Sequence, residues 1–185
     1  HLSHLAELLL DGLEVRPIVP PVAPQYSAAV TGLVSASSAT DIITLGAGGA
    51  GRRLALRRVW IGGTATAITP TFSLVRRSFP TTGGTSAGMT IVPHDERNPQ
   101  TAALATSYTA NPTVTAGGVV VRNQKVPLGA TAAGLAYNAP LWDWTAPGAQ
   151  PPTLTGNQQF AINLNSTTIT APLLDIWLEW QEDAC

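Results

Sequence analysis

The stretch LLDIWLEWQ, residues 173–181, alternates large apolar side chains with polar ones along its whole length. Successive residues of a β-strand point to opposite faces of a sheet, so this period of two separates the side chains into two sets. One set carries two acids, a glutamine and Trp177, and the other is wholly apolar. The apolar set is Leu174, Ile176, Leu178 and Trp180. The stretch therefore predicts a long strand with one face in a core.

Similar β-branched and apolar runs recur along the chain, and Gly, Pro or Asn separates them. QFAINLN, residues 159–165, shows the same alternation, and no convincing helical period lies between the runs. The other candidate strands are SAAVTGLVS (27–35), DIITL (41–45), RLALRRVWI (53–61), TFSLVRRS (71–78), GMTIVP (88–93), GVVVRN (118–123) and, more weakly, LATSYT (104–109). The sequence predicts an all-β fold, a two-sheet sandwich of jelly-roll type over residues 26–185. The pattern leaves the strand order open.

The first 25 residues have a different character from the rest of the chain. Leucines recur there at helical spacing, and Asp11-Gly12 is a plausible helix stop. Four prolines follow between residues 17 and 24, which predict an extended, semi-rigid linker. We therefore expect residues 1–25 to form an arm, helical or extended, whose leucines bind another chain. These leucines are Leu2, Leu5, Leu8, Leu9 and Leu13.

The overall composition argues against several classes of partner. Only 11% of the residues are charged, 44% are hydrophobic and the net charge is −1, so nothing draws the chain toward nucleic acid or an anionic membrane. No apolar run approaches the length of a membrane span. The single cysteine, Cys185, excludes an intrachain disulfide. A weakly charged, polar surface is suited to packing against other subunits.

A glycine-rich stretch, GAGGAGRRLALRRVW at residues 46–60, matches the G-x-G-x-x-G pattern of dinucleotide-binding turns. That pattern requires a helix after the glycines and an acid about 20 residues further on, and no Asp or Glu lies between Arg52 and Ile91. Leu54 and Leu56 instead alternate with polar residues, and the alternation resumes at Val59 after a one-residue slip. We predict a turn between two strands, a bulge in the second strand, and no nucleotide binding.

Three pairs of adjacent arginines, 52/53, 57/58 and 76/77, lie on the candidate strands. Neighbours on a strand face opposite sides, so one guanidinium of each pair is directed toward the packed side or a subunit contact. A buried arginine needs an acidic or carbonyl partner. We predict that at least one of the six meets an acid, with Asp175 or Glu179 favoured. The arginines expected at an interface are Arg52, Arg57 and Arg76.

Residues suited to catalysis or metal binding are few. VPHDERNPQ, residues 92–100, concentrates His94 with two acids, but consecutive side chains diverge and no second cluster accompanies them. His1 with His94 resembles the copper-binding histidines of lytic polysaccharide monooxygenases, although His1 opens a leucine-rich segment rather than a strand. No other histidine or cysteine spacing suits a metal. The sequence predicts no catalytic residue, no cofactor and no metal.

Tryptophans offer an alternative binding function. Trp142 and Trp144 in PLWDWTAP stand on one side of an extended segment, and paired aromatic rings on a β surface stack on sugars. The competing interpretation is that both rings pack a loop onto the sheet. A carbohydrate-binding or receptor-binding β-sandwich is thus the second functional hypothesis.

Two adjoining passages, GAGGAGRRLALRRVWIGGTATAITPTFSLVRRS and GGTSAGMTIVPHDERNPQTAALATSYTANPT, resemble small virion proteins of tailed bacteriophages over about residues 40–115. The shared features are a Gly-rich turn, basic residues entering a strand, and a Thr/Phe-rich strand. The resemblance implies an accessory capsid protein of decoration, spike or fibre-base type, located in the virion. Its expected partners are the major capsid protein or other virion proteins, within a homo-oligomer for which a trimer is favoured.

Overall fold

The structure, a computed structural model, describes residues 23–36, 40–66, 69–97, 103–114, 118–129, 140–165 and 169–184. Within these residues the chain forms twelve β-strands and no helix, so the predicted all-β class is confirmed. The strands are β1 Gln25–Leu33, β2 Asp41–Gly46, β3 Gly49–Thr66, β4 Thr71–Arg77, β5 Ser86–Gly88, β6 Ile91–Pro93, β7 Leu104–Tyr108, β8 Gly118–Lys125, β9 Trp142–Asp143, β10 Thr153–Gly156, β11 Gln159–Asn163 and β12 Thr170–Ala184.

The strands form two antiparallel sheets packed face to face. The first sheet has the order β10-β3-β12-β1-β6, with β9 paired to β3. The second sheet has the order β5-β7-β2-β11-β4-β8. The longest pairing joins β12 to β3, and β12 also pairs with β1 along the other side. The stretch that predicted a strand most clearly is therefore the centre of the first sheet.

The strand order is that of a double Greek key. If β5, β6, β7 and the two-residue β9 are set aside, the remaining strands have the orders β10-β3-β12-β1 in the first sheet and β2-β11-β4-β8 in the second. This arrangement is the jelly roll, and the predicted architecture is confirmed. The connection between β4 and β8 supplies the extra strands, because β6 extends the first sheet beyond β1 while β7 and β5 extend the second beyond β2.

The core lies between the sheets and follows the alternation in the sequence. On β12, Leu174, Ile176, Leu178 and Trp180 are buried, as predicted. Leu45 and Ile43 of β2 face the same core opposite Phe160 and Ile162 of β11. β2 is buried along its whole length, which explains why DIITL shows no alternation.

The bulge predicted in the second strand after the glycines is present. β12 pairs Glu179 with Arg58 and Trp180 with Leu56, which leaves Arg57 as the extra residue of β3. The one-residue slip between Leu56 and Val59 in the sequence is the signature of this bulge. Leu56 and Val59 are both buried, because the extra residue at the bulge places their side chains on the same face of β3.

The predicted strand GMTIVP is divided between the two sheets. GMTIVP was predicted as one strand, but β5 ends at Gly88 in the second sheet and β6 begins at Ile91 in the first, so the chain changes sheet at Met89-Thr90. Of the predicted arm and linker, residues 1–25, the part up to residue 22 lies outside the described residues. Strand β1 begins at Gln25, next to the predicted domain boundary.

No helix long and apolar enough to span a bilayer occurs in the part of the chain that the structure describes.

Candidate functional site

One end of the sandwich gathers the short turns that connect the two sheets. Ala47-Gly48 joins β2 to β3, and Asn157-Gln158 joins β10 to β11. The predicted turn between two strands is thereby confirmed, and Gly48 and Gly49 adopt positive φ angles of 79° and 135° to reverse the chain there. β1 begins at this end and β12 finishes there, because Gln25 pairs with Gln181 and Ala184 with Arg52. Residues 1–22 therefore join the sandwich here.

This end of the sandwich is both basic and apolar. Arg52 and Arg53 at the start of β3 are exposed, as is Arg76 near the end of β4. Phe79 is 60% exposed and Leu104 is 67% exposed, which is unusual for such large apolar side chains. We call this region the end surface, defined by Arg52, Arg53, Arg76, Phe79 and Leu104. A depression of about 190 Å³ lies within it, between Pro80, Leu104 and the glycine turns.

The end surface keeps its positive charge. Asp183 lies opposite Arg53 across the β3–β12 pairing and is half-buried. Glu182 is buried and accepts a hydrogen bond from the Trp180 indole N–H at 2.9 Å. Arg52 acts on the buried interior as well, since it opposes the rise in the pKa of Tyr26 that burial and Glu182 cause. Arg53 thus has one half-buried acid across the strand pairing, while Arg52 and Arg76 are exposed.

A second arginine in two of the pairs turns toward an acid, as predicted. Arg58 Nη1 lies 3.4 Å from Glu179 Oε2, and Arg58 Nε lies 3.4 Å from Asp143 Oδ2, although the latter contact lacks hydrogen-bond geometry. Glu179 was one of the two acids favoured from the sequence. The other, Asp175, instead accepts a hydrogen bond from the backbone N–H of Gly32 at 2.8 Å.

Arg77 forms the buried ion pair of this fold, with an acid that the sequence did not single out. Its Nε and Nη2 each donate to Asp41 at 2.6 Å, so the pairing is bidentate. Thr81 Oγ1 and Asn163 Nδ2 donate to the same carboxylate at 2.7 Å. Four donors satisfy both oxygens of a carboxylate that is fully buried, which makes this a structural contact. The sequence signal that could have identified Asp41 is its position directly before the apolar run IITL.

The arginines expected at an interface differ in their exposure. Arg52 and Arg76 are exposed and Arg57, at the bulge, is half-buried. Asp41 holds the Arg77 side chain within the fold, whereas Arg58 pairs with Glu179 and stays 37% exposed. The interface role of Arg52, Arg57 and Arg76 stays a prediction.

Trp142 and Trp144 do not form the surface pair proposed for sugars. Their exposed fractions are 5% and 7%, and both belong to the core cluster between the sheets. The competing interpretation, that they pack their loop onto the sheet, describes them correctly. A ring without an exposed face cannot stack on a sugar.

The exposed tryptophan pair lies on the outer face of the first sheet. Trp60 of β3 and Trp177 of β12 are directly opposite each other, with ring centroids 4.7 Å apart and an angle of 23° between ring planes. Trp177 is 43% exposed, and the Arg58 guanidinium carbon lies 5.9 Å from the centre of the Trp60 ring. The alternation in LLDIWLEWQ places Trp177 on the polar face of the strand, and that position could have identified it as an exposed tryptophan.

A shallow groove runs beside these rings. Its volume is about 350 Å³, and small residues, Ala29, Gly62 and Gly63, leave room next to Trp177. Asp175 lines the groove as well. Nearby, Thr145 donates its hydroxyl and backbone N–H to Asp143, and these bonds, with Arg58, lower the pKa of that carboxyl despite partial desolvation. The face thus combines aromatic rings with acidic side chains.

The loop with His94 contains one ion pair between neighbouring residues. His94 is exposed, and Asp95 pairs with Arg97 at 2.8 Å in a contact confined to the turn. This bonding lowers the pKa of Asp95. Among the described residues, no three His, Cys, Asp or Glu side chains are positioned to hold a metal ion. His1, the other histidine of the copper comparison, lies outside those residues.

Comparison of the chain with protein families, curated proteins and solved structures finds no match.

Proposed function

We propose that this chain is a structural protein of a bacteriophage particle, an accessory capsid protein attached through its N-terminal arm. The double Greek key carries the proposal, because jelly rolls of this kind recur in viral capsid and lectin domains. The phage-like passages of residues 40–115 span the glycine turn, the start of β3 and the connection between β4 and β8. They therefore coincide with much of the end surface.

The mechanism that fits this proposal is adhesion. The arm joins the sandwich at the end surface, so its leucines and the exposed Phe79 and Leu104 both offer apolar surface to neighbouring subunits. Burial of a leucine contributes about 1.5–3 kcal/mol, and several leucines together offset the cost of ordering the arm. The neighbour is the major capsid protein or a sister copy, and the protein acts as a homo-oligomer, for which a trimer is favoured.

The proposal is tested on particles from the source that encodes the chain. Particles purified by density gradient should contain the full-length chain in many copies, measured by quantitative mass spectrometry against the major capsid protein. Antibody labelling in electron micrographs should place it on the particle surface. A chain recovered only in the soluble fraction, with none in the gradient band, would exclude the function.

The exposed tryptophan pair favours a second candidate, carbohydrate binding, at a different place from the one predicted. Trp177 presents an exposed ring beside a groove, and Asp175 supplies a carboxylate for sugar hydroxyl groups. Stacking on an aromatic ring with hydrogen bonds to flanking acids is the usual chemistry of sugar binding. The jelly roll is compatible with this function too, since lectin domains share it.

A fluorescence titration separates the two candidates. If the groove binds sugars, a glycan panel should shift the emission of Trp177, and the Trp177→Ala variant should lose the response. Leu173→Ala is the matched control, because Leu173 lies on the same strand and is 47% exposed, yet does not line the groove. An absence of saturable change for any glycan rejects this candidate and leaves the structural role untouched.

A further inference from the structure

We propose that the arm of one copy of this chain docks on the end surface of a second copy. This inference rests on the proposed structural function, in which the arm attaches the subunit, and it names the receiving surface. It concerns residues 1–16 as the ligand and the end surface with its depression as the site.

Charge is the first argument. Residues 1–16 contain the acids Glu7, Asp11 and Glu14 and one basic residue, Arg16, apart from their histidines. The end surface presents Arg52, Arg53 and Arg76, all exposed, with Asp183 as a half-buried acid beside them. The excess charges are opposite in sign, so attraction guides the arm toward this end of the sandwich.

Apolar complementarity is the second argument. The arm carries a leucine stripe at helical spacing, and its acids lie between these leucines in the sequence. The end surface has the same mixture, because Phe79 and Leu104 are exposed among the arginines. The depression of about 190 Å³ beside Leu104 and Pro80 offers a cavity for a leucine side chain. Acidic and apolar side chains of the arm thus face basic and apolar side chains of the site.

The linker favours a second copy over the same chain. Pro24 is fixed to the sandwich, since its carbonyl accepts the Glu182 N–H at 3.0 Å. Arg52 on β3 is two strands from β1, about 10 Å away at ordinary strand spacing. The prolines from 17 to 24 predict an extended stretch of about 25 Å. A semi-rigid linker of that length carries the leucines past their own end surface toward a neighbour.

The experiment uses the full chain and a charge swap. Sedimentation velocity over a wide concentration range measures self-association of the original protein and three variants. The surface variant carries Arg52→Glu and Arg76→Glu, the arm variant carries Glu7→Arg and Asp11→Arg, and the third combines all four changes. We expect each reversal alone to weaken self-association about tenfold or more, and the combination to restore most of it.

The matched control reverses two charges elsewhere. Arg122 and Lys125 are exposed at the far end of β8, which pairs with the start of β4, so Arg122→Glu with Lys125→Glu should leave self-association unchanged. Three results would overturn the inference: a monomer at every concentration, self-association that ignores both reversals, or a combination no better than either reversal. A chain found in purified particles that gives any of these results retains the proposed function and loses only this docking site.

Discussion

At the scale of single residues, we expect the loss of the buried ion pair between Arg77 and Asp41 to destabilise the fold most. Both side chains are almost wholly buried, and the carboxylate has no solvent to replace a lost donor. Arg77→Met should therefore destabilise the fold by about 3–5 kcal/mol, because it leaves an unpaired buried charge. Urea unfolding followed by circular dichroism measures the change.

The control for this prediction is an exposed pair of the same type. Arg97→Met breaks the contact with Asp95, which solvent screens, and should leave the unfolding midpoint nearly unchanged. Equal effects of the two substitutions would show that the buried pair does not stabilise the fold as described.

Tyr26 gives the stability a dependence on alkaline pH. Burial raises the pKa of its hydroxyl above the ordinary 10.0, and Glu182 raises it further. Below about pH 10 the tyrosine is protonated in both folded and unfolded states, so it adds no pH dependence. Above that pH the unfolded state ionises first, and the free energy of unfolding should fall as pH rises. Melts of the original protein and Tyr26→Phe between neutral and alkaline pH should diverge, with the variant less sensitive; parallel curves would contradict the assignment.

The sequence anticipated the arginine contacts only in part, and bulges explain the difference. Strand parity predicted that one arginine of each pair is directed toward the packed side or a subunit contact. Arg77 is buried as this predicts, whereas Arg58 lies on the outer face of the first sheet beside Trp60. Parity did not identify which arginine would find an acid, because a bulge at Arg57 shifts the faces of β3. Asp41 was not predicted as an arginine partner, because a register shift beside Ile162 changes the face of the sheet on which Asp41 lies.

At the scale of elements, the close approach of β3 to β12 depends on Gly63. Its φ is 121°, and a Cβ there would lie 2.1 Å from the backbone oxygen of Leu173, which cannot move without disturbing the central pairing. Gly63→Ala should therefore cost roughly 2–4 kcal/mol in unfolding free energy.

Gly49→Ala is the control for this substitution. Gly49 has a similar φ of 135°, but a Cβ there meets nothing within 4 Å. Its cost should be limited to backbone strain, about 1–2 kcal/mol. The difference in melting temperature between the two variants measures the steric cost at Gly63. Equal losses of stability would mean that β3 and β12 approach each other less closely than described.

Long strands were the easiest elements to predict and short ones the hardest. β12 and the bulged β3 carry clear alternation over many residues. β9 and β10 are too short to show a period, and they are held by pairing to β3 rather than by their own sequence. The tryptophan pair Trp142 and Trp144 belongs to this region, and its burial by the neighbouring strand could not be read from the local sequence.

At the scale of the whole molecule, the fold class followed from the sequence but the topology did not. β12 pairs with both β1 and β3, and partners so far apart in the chain leave no local trace of their pairing. The same holds for the end surface, which brings together the end of β4 with the starts of β3 and β7. Its arginines were noticed in the sequence, whereas Phe79 and Leu104 gained meaning only from their exposure.

On the proposed function, the sandwich folds without its arm, and the arm holds it on the particle. The direct measurement is the amount of the chain in gradient-purified particles when residues 1–24 are deleted, with the melting temperature of the purified variant measured in parallel. We predict that the truncated protein melts at nearly the original temperature and is absent from the particles, while the full chain is present. A truncated protein that still joins the particles, or one whose fold is lost because the leucines pack on their own sheet, would contradict the account.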